Sequence, residues 1–454
     1  MKNTLAHILS KILLLTFVLG GFCISMSGCM SIDSDKSLLD PGDPVTLTVW
    51  HVYGEQADAP MNLLIEEFNE TVGHDKGIRI QVTNVTSTSK ILAQLLDAQA
   101  GKPGTPELPD LFSCYTQHVP SLGIENLLDW SEWFSDKELD AYVPEFIDSG
   151  RIDEKLIVFP VSKSTYAFFI NGSQFARFSA DTGVTYDSLS DWNSFFTAAE
   201  KYYEWSDGKA FCAFDYLIRH MELDILSRYG ELEYTESGWY DENDPAIKES
   251  FSMFAKALAK GLVVVSDLYA NTQVMTGEVL SGIGSSAAVG YYNDTVTYPD
   301  NTSEAMELKV LPLPKSGGEN EYMPQTGVGL SAFRTTDQKA EAAYEFVKWF
   351  TESKRNLDFV VSTGYMPVTN GAFDAIEAYD FTDAGYESLY TAIKTMYDEY
   401  IPVVRPDFAG FFDKTNALYA GLRKMQPSLT ERAEKGESIA ALTEELWEFF
   451  CGID

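Results

Sequence analysis

Hydrophobic and polar residues alternate along Val45-Thr46-Leu47-Thr48-Val49-Trp50, the period-two pattern of a half-buried strand. Met61, Leu64, Ile65 and Phe68 then recur at i, i+3, i+4 and i+7, which predicts a helix with one apolar stripe. Ile78-Arg79-Ile80-Gln81-Val82 alternates again. Ile91, Leu92, Leu95 and Leu96 mark a second helix, and Asp110-Leu111-Phe112-Ser113 a third strand. Strands alternating with helices predict an α/β fold with parallel strands. In such sheets ligands gather beyond the carboxyl ends of the strands. That rule singles out Trp50, His51 and Tyr53 at one strand end and Tyr115 at another.

The alternation resumes further on. Leu156–Pro160 and Thr165–Asn171 read as strands flanking the polar run Ser162-Lys163-Ser164. Helices follow around Trp192, Phe195, Phe196 and Ala199, and around Ile247, Phe251, Phe254 and Leu258. Val328–Phe333 reads as a strand before a helix striped by Ala340, Ala343, Tyr344 and Val347. The residue pattern contains no internal repeat.

The N-terminus follows a different pattern. A basic start (Lys2, Lys11) leads into the apolar run Ile12–Leu19 and ends in Met26-Ser27-Gly28-Cys29. This is the layout of a secretory signal over residues 1–28, too short and wrongly flanked for a permanent span. The cysteine at the cut resembles a bacterial lipobox, which makes Cys29 the expected lipidation site. Residues 29–44, rich in turn formers, read as the lipidated cysteine and a flexible tether that reaches at most about 50 Å. The expected location is the extracytoplasmic face of the cell membrane, reached through the lipid anchor. Removing 28 of 454 residues leaves 426, which suits two lobes.

Charge narrows the partners. The chain carries 33 Lys and Arg against 68 Asp and Glu, a net −35, and loss of Lys2 and Lys11 takes it to −37. So acidic a surface repels nucleic acid. Beyond the signal and Cys29, the cysteines are Cys114, Cys212 and Cys451, an odd, widely spaced set that fits buried free thiols better than a disulfide framework or a zinc site. H-E-x-x-H, G-x-S-x-G and Walker A motifs are absent from the sequence, so neither a cofactor nor a metal is expected. Gly282-Ile283-Gly284-Ser285-Ser286-Ala287 fits a dinucleotide fingerprint, but the residues after it make a poor helix. A turn that brings Ser285 and Ser286 close to a ligand is the better functional reading.

Aromatic residues make up 13% of the chain. Sugar rings lay their C–H faces on aromatic rings while their hydroxyls take a few placed polar groups. Trp50, Tyr53, Tyr115, Trp239, Tyr240, Tyr291 and Tyr365 stand at expected loop or strand-end positions, where either core packing or ligand contact fits. Arg405 offers a planar fork of donors to hydroxyls or a phosphate, or else a structural ion pair.

These pieces resemble, in order, the extracellular solute-binding proteins of ABC importers, in the large sugar-binding group. The resemblance runs from Val45 to about Phe411. Its strongest part is Leu311-Pro312-Leu313-Pro314, Thr326-Gly327-Val328-Gly329-Leu330 and Thr363-Gly364-Tyr365-Met366-Pro367-Val368. It implies an α/β, two-lobed periplasmic-binding-protein-like fold (type II) with the ligand cleft between lobes joined by three hinge crossings. The crossings fall near Val161–Lys163, Met323–Gln325 and Ser362–Gly364. Lobe I is expected at 45–161 plus 325–361, and lobe II at 162–324 plus 362–454.

The implied function is capture of a carbohydrate and its delivery to the permease subunits of an ABC transporter, by a monomer without enzymatic activity. Within the family, Ser162-Lys163-Ser164-Thr165 and Phe168–Asn171 are similar to the branch that binds glycerol-3-phosphate and its diesters. That similarity implies contacts from Ser162 or Ser164, Ser285 or Ser286, Gly327, Tyr365 and Arg405, although Thr116 stands where that branch has an acid. Glycerophosphodiester binding is therefore one alternative, and a surface carbohydrate-active enzyme another.

Overall fold

The computed structural model describes residues 37–54, 60–267, 269–406 and 408–453. The signal and Cys29 lie outside the described residues. Two sheets organise the chain. In the first, the strand Val45–His51 is central, paired in parallel with Ile78–Val85 on one side and Leu111–Cys114 on the other. Gly329–Ala332 returns from late in the sequence to pair antiparallel with Leu111–Cys114. The second sheet has the order Leu308–Leu311, Tyr166–Asn171, Ser281–Ser285, Cys212–Phe214, Val263–Val265. It is mixed: its last three strands run parallel, whereas Tyr166–Asn171 and Leu308–Leu311 join by antiparallel pairing. The all-parallel expectation therefore holds for the first three strands of the chain and not for the second sheet.

The helices follow their apolar stripes. Pro60–Glu70 buries Met61, Ile65 and Phe68. Asp337–Phe350 is capped by Thr336, whose side chain accepts from the Lys339 amide, and buries Ala342, Ala343, Phe346, Val347 and Phe350. Trp192–Trp205 is capped by Asp191 and buries Trp192, Phe195, Ala199 and Tyr202. Helix Leu217–Tyr229 has no such stripe: Leu217 to Ile225 are all buried, charged residues included. The C-terminal helices Phe411–Glu434 and Ile439–Cys451 pack on Pro245–Ala259.

The expected strand Leu156–Pro160 is a correction. Only Lys155–Leu156 is extended in a ladder, pairing with Arg151–Ile152 across a turn in which Asp153 and Glu154 have φ of 48° and 67°. Pro160 carries no N–H to continue it, and Phe159 instead makes a single bridge to Leu330. The end of the expected tether is not free either. Ser37 Oγ and the Leu38 amide both donate to the Glu341 carboxylate at 2.7 Å.

Among the described residues no helix is long and apolar enough to cross a membrane. The three cysteines after Cys29 are free thiols, Cys114 and Cys212 buried and Cys451 half-buried. Burial pushes the Cys114 thiol up to about 12, which keeps it protonated and unreactive.

Candidate functional site

Three segments meet between the sheets. The Lys163 amide donates to the Met366 carbonyl at 3.1 Å, while Ser164 and Thr326 exchange two backbone hydrogen bonds at 2.9 Å. Two glycines make this junction possible. Gly327 has φ of 108° and lies against Lys163 and Ser164, and Gly364 has φ of 75° with its Cβ direction filled by the Ser286 carbonyl at 2.7 Å. Both conformations favour glycine.

Beside the junction lies a cavity of about 210 Å³. Tyr115 and Thr116, just past the carboxyl end of Leu111–Cys114, form one wall together with Ser149; Thr116 Oγ1 is fixed by donation to the Ser149 carbonyl at 2.7 Å. Tyr166, Tyr216 and Arg219 also line the cavity, with the Tyr166 and Tyr216 rings stacked 5.2 Å apart. Lys163, Gln325 and Gly327 supply the floor, and Val404 and Arg405 complete the rim. A second cavity of about 250 Å³ shares Tyr216 and Arg405 and adds the exposed rings of Tyr269 and Phe412. Taken as one space, the two fall within the roughly 300–1,000 Å³ of small-molecule sites.

The cavity wall holds both compensated and uncompensated charge. Arg219 donates to the buried Glu222 carboxylate at 2.6 Å and to the Val403 carbonyl at 2.8 Å. Lys163 is as deeply buried, but its ammonium donates only to Ser149 Oγ, at 3.1 Å, and among the described residues it forms no ion pair. Burial lowers its pKa to about 8, because desolvation penalises the charged form. Arg405 lies over the Phe411 ring at 4.1 Å and likewise has no ion pair among the described residues. Gln325 donates to Ser149 Oγ at 2.7 Å, leaving its buried Oε1 without a partner.

Of the residues singled out from sequence, Tyr115, Gly327 and Arg405 border the cavity. The serines are engaged beside it, largely with one another. Ser164 Oγ is hydrogen-bonded to Ser285 Oγ at 2.9 Å and lies 3.3 Å from Ser286 Oγ, and Ser162 Oγ is hydrogen-bonded to Tyr53 at 2.9 Å. Tyr365 meets the Tyr53 ring edge-on at 6.1 Å. His51 is buried, its Nε2 2.9 Å from Asn62 Oδ1, and burial lowers its pKa.

Four aromatic residues are corrections. Trp50 is wholly buried, donating its indole N–H to Thr83 Oγ1 at 3.0 Å. Trp239 and Tyr240 pack against Phe411 and Phe450 in the interior, and Tyr240 donates to Glu222. Tyr291 is exposed and borders neither cavity. Lys163, Ser149, Tyr166, Tyr216, Arg219 and Gln325 were not singled out as site residues. For Tyr216 the signal was available, since it follows the carboxyl end of Cys212–Phe214.

A cavity between two α/β lobes, at the strand ends of both and at the junction that links them, defines the class of two-lobed solute-binding folds. Residues 64–384 match the family described as bacterial extracellular solute-binding protein, and the chain belongs to it. Solved structures similar to it share this fold. One is the cyclic α-maltosyl-1,6-maltose binding protein of Arthrobacter globiformis (18% identity, 90% of this chain and 99% of that one, TM-score 0.66). Another is the sugar-binding protein MalE of Xanthomonas citri (13%, 90% and 97%, TM-score 0.65). A third is UgpB of Mycobacterium tuberculosis, in complex with glycerophosphocholine (16%, 90% and 98%, TM-score 0.62). No curated protein sequence matches the chain significantly.

Proposed function

We propose that the protein captures a carbohydrate in the cavity between its lobes and hands it to the permease of an ABC importer, with no catalysis of its own. The observation that carries this reading is the pair of neighbouring cavities beside the three-segment junction, which share Tyr216 and Arg405 and where Tyr216, Tyr269 and Phe412 bring aromatic rings beside polar groups. Ring faces next to a few donors suit the alternating C–H and hydroxyl surface of a sugar. The solved relatives whose names include maltosyl-maltose and sugar binding support the same class.

In this reading the lobes are 45–161 plus 325–361 and 162–324 plus 362–454, joined by three crossings that act as a hinge. Closure of the hinge around the ligand would create the form the permease engages. The protein works as a monomer on the extracytoplasmic face, held by a lipid on Cys29. A thermal-shift and calorimetric screen of mono- and oligosaccharides tests the proposal. A ligand at about 100 times its Kd raises stability by about 2.7 kcal/mol, and the absence of any shift across the panel would overturn it.

A further inference from the structure

We propose that the cavity receives the anionic group of its saccharide, a carboxylate or a phosphate ester, on Lys163 and Arg405. This rests on the carbohydrate reading above and narrows it to acidic sugars.

The argument starts from what is missing around the cations. The chain holds 68 Asp and Glu, yet among the described residues no carboxylate lines the cavity of about 210 Å³. Its charged groups are Lys163, Arg219 and Arg405. Arg219 is neutralised by Glu222 at 2.6 Å. Among the described residues Lys163 and Arg405 have no ion pair, and Lys163 is only 5% exposed.

A buried cation with no counter-ion is costly, and such groups concentrate where a ligand supplies the missing charge. Ser149 Oγ cannot supply it. It accepts from both Lys163 and Gln325 and donates its own proton to the Phe146 carbonyl at 2.8 Å. An ammonium has three donors, so two remain for an incoming oxyanion.

The neighbouring orphan points to a hydroxylated anion rather than a bare one. Gln325 Oε1 is buried without a partner and, as an acceptor, repels an oxyanion but takes a hydroxyl proton. A sugar acid or sugar phosphate presents an oxyanion and hydroxyls within a few bonds of one another. Its ring then lies toward Tyr216, the residue that continues the cavity into the space bordered by Tyr269 and Phe412. The two acids bordering that second space already have partners. Asp215 accepts from Ser266 Oγ at 2.8 Å and from the Ala270 amide, and Asp267 pairs with Arg423 at 3.2 Å.

Calorimetric titration of the purified full-length protein tests this with glucose, glucuronate, glucose 6-phosphate, maltose, digalacturonate and glycerol 3-phosphate. At least one acidic sugar is expected to bind about tenfold or more tightly than the neutral sugars. Lys163→Met and Arg405→Gln should each weaken that binding by about tenfold or more. The uronate and phosphate arms identify which oxyanion is taken. Should Lys163→Met not fold, Arg405→Gln and the loss of wild-type affinity with rising salt carry the test.

Neutral sugars binding as tightly as acidic ones would overturn this inference and leave the carbohydrate reading standing. So would acidic-sugar binding that neither folded variant weakens. Binding of glycerol 3-phosphate alone, or of no compound, would overturn both.

Discussion

Arg219 and Lys163 border the same cavity at nearly equal burial, 4% and 5% exposed, yet their surroundings are opposite. Arg219 sits on a helix buried on every side, with Glu222 one turn away and the Val403 carbonyl beyond it. Tyr234 and Tyr240 donate to the other oxygen of the same carboxylate. Lys163 has a single neutral partner. The difference separates a cation that ties its helix to the strand ending at Val403 from one that, in the proposed site, takes its counter-charge from the ligand. Burial alone does not distinguish them; the census of partners does.

The comparison can be broken most severely at Glu222. Glu222→Gln leaves the Arg219 charge buried and uncompensated, with an expected loss of about 3–5 kcal/mol in chemical denaturation. Lys163→Met should move stability the other way. Removing an uncompensated buried ammonium is expected to raise unliganded stability by on the order of 1–3 kcal/mol at neutral pH, visible as a higher Tm. A loss of similar size would mean that Lys163 is structural.

The pH dependence sharpens the same contrast. Lys163 titrates near 8 in the folded chain and at about 10.5 when unfolded. Between those values the unfolded chain binds more protons, so this group makes unliganded stability rise with pH, by at most about 1.4 kcal/mol per unit. Affinity for an acidic ligand should fall over the same window as the ammonium is lost. Around the cavity, burial pushes Tyr115, Tyr166 and Tyr216 upward, so they oppose the Lys163 slope only as the pH nears their ordinary value of about 10. The smallest effect is expected at the serines. Ser164→Ala removes the 2.9 Å hydrogen bond to Ser285 and should cost about 1 kcal/mol, measured by thermal denaturation.

The elements legible in the sequence were those whose periodicity is local. Val45–His51, Pro60–Glu70 and Ile78–Val85 announce themselves because one face is wet and the other dry. Leu217–Tyr229 does not, since a helix buried all round from Leu217 to Ile225 has no polar face there to set its period. For the site, the strand-end rule reached Tyr115, and the family resemblance reached Gly327 and Arg405. Trp50 and Trp239 show where that reasoning fails. An aromatic ring near a strand end or in a loop reads alike whether it turns into the core or toward a ligand. Lys163 stood between two serines already under suspicion and was passed over, because the absence of a carboxylate around it is a property of distant segments.

The backbone pairing of Lys163 with Met366 gives that charge a particular position. In the proposed hinge it would belong to the fulcrum between the lobes, the place that moves least when they swing. A cation fixed there would be presented in the same way in the open and closed forms of that hinge, so solute charge would be judged at first encounter. Discrimination of that kind appears in the association rate, and it fades as added salt shortens the range of the field.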